Sequence, residues 1–341
     1  MRIVLCYPVQ DHHIAQLRDA MRRHGDGHEV INAGQERVDE LLPTADIFIG
    51  HAKVPVNWER VVDGGRLRMI QSSAAGLDHC LVPSVIASDI VVASASGLFA
   101  PQVAEQTFAL LFGLMRRIKT FVHAEFKREF IRRPTGDLRG KTVGIVGLGG
   151  NGHAIANMLS PWECRIIATD YYDQDCPPAV DELMPADRLP RLLDQSDIVI
   201  LTLPLNASTA GLFDLAMLRH CKPGCVLINV ARGSVVVESA LVHHLDTGHI
   251  SAAGLDVTEV EPLPVDSPLW DRENVLITPH VGAQSHRRVS DTTNLACINL
   301  QRFLSGERPH NVVDKSLGFP HPRDTYRYAV QRASDNKCEP S

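Results

Sequence analysis

The turn Gly147-Leu148-Gly149-Gly150-Asn151-Gly152, near the middle of the chain, limits the fold more than any other stretch. Before it, Thr142-Val143-Gly144-Ile145-Val146 is a short apolar run of the kind that forms a buried parallel strand. After it, His153-Ala154-Ile155-Ala156-Asn157-Met158-Leu159 carries apolar residues at helical spacing. Arg165-Ile166-Ile167-Ala168-Thr169 predicts a second strand, with Asp170 at its carboxyl end. A GxGxxG pattern counts as a dinucleotide site only in this strand–turn–helix–strand context. Gly147 permits the tight turn, Gly149 lets backbone N–H groups approach a pyrophosphate, and Gly152 allows close helix–strand packing. Gly150 and Asn151 complete the contacts expected of the turn, and the anion rests on the positive end of the helix dipole. Asp170 is placed to accept hydrogen bonds from an unmodified adenosine ribose and to repel a 2′-phosphate, which predicts NAD rather than NADP. The competing reading is a glycine-rich turn that binds nothing; strand, helix and carboxylate in register outweigh it.

A chain of 341 residues has length for two domains of ordinary size, and 44% hydrophobic residues supply two cores. The net charge of -6 argues against a nucleic-acid role, which wants a basic face. Basic residues cluster at Arg116-Arg117 with Lys119 and at Lys127-Arg128 with Arg132-Arg133, and these read as solvated helix faces. The apolar run Ile3-Val4-Leu5 is too short for a secretory signal, and nothing approaches the length of a transmembrane helix, so a cytoplasmic protein is expected. The eight cysteines, Cys338 the last of them, include no CxxC pair and read as reduced thiols with no metal site. The adjacent pairs His12-His13 and His243-His244 do not share one helix face and read as surface residues.

Strand and helix signals alternate before the turn as well as after it. Ile3–Cys6, Glu29–Asn32, Ile47–Ile49, Met69–Ile70 and Val91–Ala93 predict five short strands, with helices at His13–Arg23 and Asp39–Leu42. That is a complete doubly wound α/β unit ahead of the glycine turn. A strongly apolar helix opens at Pro101. Beyond Asp170 the strands Ile198–Leu203, Val226–Val230, Ala252–Val257 and Val275–Ile277 follow, then a helix from Ser285 to Leu304. Pro309 to Val313 reads as a return to the first domain, and the chain from Ser316 onward as a loosely held tail. The expected fold class is therefore α/β with two Rossmann-like doubly wound parallel-sheet domains. The boundaries are 1–98 plus 286–315 for a flavodoxin-like substrate domain, 99–285 for the NAD domain and 316–341 for the tail.

In open parallel sheets, ligands bind beyond the carboxyl ends of the strands. Arg232, Glu261 and His280 follow predicted strand ends in the cofactor half. Each alone reads as an ordinary loop or cap residue; together they match hydride transfer at a carbonyl. Histidine is the natural proton donor near neutral pH, and Glu261 is placed to fix its ring and favour the imidazolium. Arg232 can hold a carboxylate and the carbonyl oxygen through its planar fork. The loop Ala74-Ala75-Gly76-Leu77 can present backbone N–H groups to the same carboxylate.

With these residues in order, the chain resembles the D-isomer-specific 2-hydroxyacid dehydrogenase family over roughly residues 1 to 315. The matching segments are Leu138-Arg139-Gly140-Lys141-Thr142 leading into the turn, Leu203-Pro204-Leu205 with Thr209, and Asn229-Val230-Ala231-Arg232-Gly233. Gly254-Leu255-Asp256-Val257 with Glu261-Pro262-Leu263-Pro264, Thr278-Pro279-His280-Val281-Gly282, and Ala75-Gly76-Leu77-Asp78 complete the set. The resemblance implies catalytic roles for Arg232, Glu261 and His280, with Asp256 against the nicotinamide amide. It adds Leu203, Pro204, Val230, Ala231 and Gly282 to the cofactor contacts. It also implies an active site in the cleft between two similar domains, and a homodimer formed through the cofactor domain.

Within that family, Ala75 stands where phosphite-oxidising members carry lysine, and Glu261 where formate dehydrogenases carry glutamine, so neither substrate is expected. The run Pro264-Val265-Asp266-Ser267-Pro268-Leu269-Trp270 is similar to that of glyoxylate and hydroxypyruvate reductases. Lys53 is the one basic residue in His51-Ala52-Lys53, where phosphoglycerate members place arginines, so a phosphorylated acid is less favoured. The expected activity is NAD-dependent interconversion of a small 2-oxo acid and its D-2-hydroxy acid. The alternatives are a 3-phosphoglycerate dehydrogenase, or an NAD-sensing, corepressor-like scaffold on the same fold.

Overall fold

Short apolar strands such as Ile47–Gly50, Met69–Ser72 and Ile198–Leu201 are buried at every position, the pattern of parallel sheets covered on both faces. The computed structural model describes residues 1–25 and 27–326. The first unit runs β1 (Arg2–Cys6), α1 (Asp11–Met21), β2 (Glu29–Asn32), α2 (Val38–Leu41), β3 (Ile47–Gly50), α3 (Trp58–Asp63), β4 (Met69–Ser72), α4 (Pro83–Ala87) and β5 (Val91–Ala93). Its five strands are all parallel, in the order β2-β1-β3-β4-β5.

Two helices follow, α5 (Ala100–Met115) and α6 (Ile118–Phe126). The second unit runs β6 (Thr142–Val146), α7 (Gly150–Leu159), β7 (Arg165–Asp170), β8 (Glu182–Pro185), α8 (Leu189–Gln195), β9 (Ile198–Leu201), α9 (Leu215–Leu218), β10 (Cys225–Asn229), α10 (Glu238–Asp246), β11 (Ile250–Leu255) and β12 (Val275–Ile277). These strands form a parallel seven-stranded sheet ordered β12-β11-β10-β9-β6-β7-β8. One face is packed by Val103, Leu111, Ile155 and Leu159, the other by Leu192, Phe213, Leu241 and Leu245. After the second sheet come α11 (Arg288–Leu304) and a small hairpin, β13 (Val313–Asp314) and β14 (Phe319–Pro320).

The last helix returns to the first sheet. Ala296, Cys297 and Leu300 of α11 pack with Ile3, Leu5, Leu17 and Met21. Asn299, fully buried, satisfies its side chain by donating to Gln71 Oε1 (2.6 Å) and the His310 carbonyl (3.0 Å), and by accepting from the His310 amide (2.8 Å). Val312 bridges to Ala93 at the edge of the same sheet.

Several sequence expectations change. His13 and His244 are buried rather than on the surface: His13 bonds Ser290 Oγ and His244 bonds the Leu215 carbonyl, because each sits one helix position round from its exposed neighbour. Lys119 is not part of a solvated face; its ammonium donates to the carbonyls of Trp270, Arg272 and Val275. Residues 316–326 are not a loose tail. Asn206 donates to the Leu317 carbonyl at 2.9 Å, and Phe319 packs edge-on against Tyr171 and Tyr172. The rest of that tail, with Cys338, lies outside the described residues. The helix expected from Ser285 starts at Arg288, and α1 closes at Met21 before a tighter turn over Arg22–His24.

Asp197 ties the edges of three second-sheet strands together. Its carboxylate accepts from the Thr142 amide (2.8 Å) and the Lys222 ammonium (3.0 Å). Burial alone would raise this carboxyl, but those two donors outweigh it and hold its pKa below the ordinary carboxylate value. The depressed pKa stabilises the fold at all pH values above the unfolded-state value, and that stabilisation is lost as pH falls through the folded one. Asp197→Asn is therefore expected to cost about 1–2 kcal/mol at pH 7, with the difference from wild type shrinking below about pH 4, read by urea denaturation across pH.

Candidate active site

The second sheet reverses its strand order between β6 and β9, and the glycine turn leaves β6 at that switch point. Gly147 has φ 96°, a region that L side chains rarely adopt, and a Cβ there would lie 2.9 Å from the backbone of Leu203. At Gly152 a Cβ would collide with the Gly147 carbonyl oxygen, so helix and turn touch only because position 152 is glycine. Position 149 is open: apart from its chain neighbours, nothing lies within 4 Å of where its Cβ would stand. Gly150 and Asn151 form the first turn of α7, ten residues long, with Gly149 extended at its N-cap. An anion at position 149 therefore meets backbone amides and a helix N-terminus. Asp170 ends β7 beside the turn; its carboxylate accepts from the Leu148 amide (2.6 Å) and the Tyr172 amide (3.0 Å). These residues fit a dinucleotide by the open position, the donor set and the nearby acid.

Leu203 and Pro204 follow β9, with Leu203 buried against the turn. Val230 and Ala231, both buried, follow β10, and Asn229 staples that turn: its side chain accepts from the Ala231 amide (3.0 Å) and donates to the Arg232 carbonyl (3.1 Å). Arg232 reaches across to the first unit. Its Nε donates to Asp78 Oδ2 at 3.2 Å and its Nη1 to the Ala231 carbonyl at 2.7 Å. The guanidinium lies directly on Gly76, where any Cβ would collide with it. Ala75 is exposed beside it, whereas the Leu77 side chain belongs to the core under the first sheet. Lys53 is exposed, with no ion pair among the described residues, and its amide donates to Gln35 Oε1.

His280 follows β12 and meets Glu261, from the loop after β11, at 2.8 Å between Nδ1 and Oε2. That bond places the proton on Nδ1 toward the carboxylate and turns Nε2 to the cleft. His280 has φ 54°, an unfavourable conformation for a non-glycine residue. Asp256, buried at the end of β11, holds the backbone there. Its carboxylate accepts from the Thr278 hydroxyl (2.6 Å) and the amides of Val281 (3.0 Å) and Gly282 (2.8 Å), and its carbonyl accepts from the His280 amide (2.7 Å). Gln106 of α5 donates to Thr278 Oγ1, so α5 backs the same loop.

Arg232, the His280–Glu261 pair and the glycine turn thus all lie beyond carboxyl strand ends of the second sheet, and Gly76 and Asp78 join Arg232 from the first. Such a group can fix a carboxylate, polarise a carbonyl and pass one proton. Asp78, Asn229 and Thr278 carry no functional signal in the sequence beyond their place in the matching segments. The acid two residues after Gly76 was the available signal; the positioning bonds of Asn229 and Thr278 left none.

The chain is similar to known proteins over most of its length. Residues 108–282 match the family model of the D-isomer specific 2-hydroxyacid dehydrogenase NAD binding domain. A glyoxylate reductase from Thermofilum pendens is 36% identical over 74% of this chain and 76% of its own length. A D-3-phosphoglycerate dehydrogenase from Mycobacterium leprae is 34% identical over 78% of this chain and 50% of its own. The structure of an NADPH-dependent glyoxylate/hydroxypyruvate reductase from Sinorhizobium meliloti, in complex with NADP and sulfate, is similar with a TM-score of 0.77 at 26% identity. That similarity covers 93% of this chain and 99% of that one.

The collision at position 152 gives a direct test of the turn. Gly152→Val is expected to push the helix off the turn and weaken NADH binding by roughly tenfold or more. Fluorescence titration measures this, with circular dichroism confirming that the sheet survives.

Proposed function

The chain belongs to the D-isomer-specific 2-hydroxyacid dehydrogenase family, and from that premise we propose its reaction and the residues that carry it. It is a nicotinamide-dependent oxidoreductase of 2-oxo and 2-hydroxy acids. Its substrate is a small 2-oxo acid of the glyoxylate or hydroxypyruvate kind, converted reversibly to the D-2-hydroxy acid. The observation that carries this reading is the 2.8 Å His280–Glu261 pair on the same side of the sheet as Arg232 and the glycine turn.

The nicotinamide, when bound, donates a hydride to the carbonyl carbon or accepts it back. Everything else falls to this chain. Arg232 leaves Asp78 or shares it, and binds the substrate carboxylate with the carbonyl oxygen through its fork. Backbone amides at Ala75 and Gly76 support the same carboxylate. His280 delivers a proton from Nε2 to the carbonyl oxygen as the alkoxide forms, and takes it back in the oxidation. Glu261 stabilises the imidazolium and fixes the ring. Asp256 keeps His280 in its strained backbone conformation through the loop it clasps.

Asp170 supports NAD over NADP, since a 2′-phosphate would be set against its carboxylate. The exposed residues Ile118, Val122 and Phe126, one helical turn apart on α6, with Phe130 beyond, support a homodimer formed through this face. Among the described residues no helix is long and apolar enough to cross a membrane. We assign the enzyme to the cytoplasm, where its seven described free thiols stay reduced.

NADH oxidation with a panel of small 2-oxo acids tests the reaction, and His280→Gln should lower kcat by about 10²- to 10⁴-fold while NADH still binds. Folded protein that binds NADH and turns over no acid would overturn the reading. Asp170→Ala should bring a preference for NADH over NADPH of roughly tenfold close to parity, measured as the ratio of kcat/KM values. Phe126→Glu should shift the solution mass by light scattering from that of a dimer to that of one chain.

A further inference from the structure

Residues 316–326 lie beyond the stretch over which the sequence resembles its family, and they cross from one unit to the other as a strap. Both ends are tied to the first unit. Lys315, just after β13, donates from its ammonium to the carbonyls of Val85 (3.2 Å) and Ser88 at the end of α4. At the other end the Tyr326 amide donates to Oδ1 of the buried Asn311 (2.6 Å), and the Asn311 amide donates to the Asp324 carbonyl (2.8 Å). Asn311 in turn donates to the carbonyls of Ser94 and Ser96, just past β5.

Between those anchors the strap lies on the second unit. The Leu317 carbonyl accepts from Asn206, in the loop after β9, at 2.9 Å. A Cβ on Gly318 would stand 3.8 Å from Leu81 of the first unit and 4.0 Å from the Leu205 carbonyl of the second, so the chain there fills the gap between them. Phe319 then meets the loop after β7: its ring lies edge-on to Tyr171 (5.8 Å between centroids) and to Tyr172 (5.6 Å), and His321 tilts against Tyr172 at 4.5 Å. On its way back the strap passes Gly97, where a Cβ would lie 3.5 Å from Thr325 Cγ2. Gly97 itself rests on the first turn of α7, since a Cβ on Gly150 would stand 2.6 Å from its Cα.

The two loops so joined flank the adenosine side of the cofactor cleft. In a doubly wound sheet the dinucleotide lies across the switch point, with one ribose on the acid that ends the second strand of the fingerprint. That acid is Asp170 here. Tyr171 and Tyr172 follow it directly, and residues 203–206 leave β9 on the other side of the glycine turn. A strap fastened to both loops closes the cleft on the side where the base belongs. Its aromatic cluster is not sealed: Tyr171 is 62% exposed, and Tyr172 and Phe319 are half-buried. Aromatic rings left open beside a ribose-binding acid suit a purine, because every base has a π-face that stacks on them.

We propose that the strap, through Phe319, forms the outer wall of the adenosine pocket and supplies part of the dinucleotide's affinity at the end remote from the hydride. The wall rests on the dinucleotide reading of the glycine turn and is independent of which acid is reduced. Phe319 completes an aromatic surface that Tyr171 and Tyr172 begin, and it keeps water from the base. Lys315 is a positioning residue: it fixes the start of the strap to α4 through two carbonyls of the first unit and has no part in the aromatic cluster.

Fluorescence titration of the full chain gives dissociation constants for NADH and, carried to millimolar concentration, for reduced nicotinamide mononucleotide, which lacks the adenosine half. Displacement of NADH gives the constant for ADP-ribose. Wild type is compared with Phe319→Ala, Phe319→Tyr and Lys315→Met. Phe319→Ala should weaken NADH and ADP-ribose together by about tenfold and the mononucleotide by less than about twofold. Phe319→Tyr should stay near wild type, and Lys315→Met should shift NADH and ADP-ribose the same way by roughly three- to tenfold. NADH binding within about twofold of wild type in both Phe319→Ala and Lys315→Met overturns the wall. Tighter binding overturns it too, since the strap would then be a plug in the pocket. Equal losses for NADH and the mononucleotide also overturn it, as a general loosening of the cleft would produce them. If Phe319→Ala does not fold, the same comparison is read from Lys315→Met. Wild-type protein that binds none of the three ligands overturns the dinucleotide reading itself, and the wall with it.

Discussion

The buried carboxylate of Asp256 is the interaction on which the reacting side of this molecule depends. It sits at the end of β11 and accepts from the Thr278 hydroxyl and two successive backbone amides, so its charge is met inside the protein by donors rather than water. The loop it clasps has to carry His280 at positive φ, and the bond from the His280 amide to the Asp256 carbonyl fixes that geometry. Thr278 is oriented in turn by Gln106 from α5, which ties the position of His280 to a core helix rather than to a free loop. A rigid strand end, a desolvated charge and a strained residue thus act as one device.

Two parallel sheets, each with one reversal of strand order, explain where the other groups lie. At the second sheet's reversal stands the glycine turn; at the first sheet's reversal stands His51. Arg232 spans from one unit to the other through Asp78, so one side chain reads the distance between the two sets of strand ends directly. The pair is partly exposed and salt-screened, so separating it costs little.

Much of this was legible along the chain because its signals are local. The strand before the glycine turn, the helix after it and the strand ending at Asp170 lie within thirty residues and obey two different periodicities. Arg232, Glu261 and His280 were visible as charged or titratable residues after strand ends. Other elements gave little signal. The strand β8 pairs only with β7 at the sheet edge and buries only Met184, so it lacks an apolar run. The short helices α3 and α4 carry too few turns for a period to show. His13 and His244 read as surface residues because their burial depends on partners, Ser290 and the Leu215 backbone, far away in sequence.

The sequence by itself determined the strand–turn–helix unit, the acid at Asp170, the three candidate side chains Arg232, Glu261 and His280, and the family, since each rests on residue types at short fixed spacings. Only the tertiary structure decided how the packing of distant segments disposes them. It brought Arg232 onto Gly76 and Asp78, stacked His51 on His79, and set Arg288 over Phe99. It also folded residues 316–326 back against Tyr171, Tyr172 and Asn206. These contacts join residues dozens to hundreds of positions apart, and burial and charge compensation, which govern them, exist only once the sheets have closed around their cores.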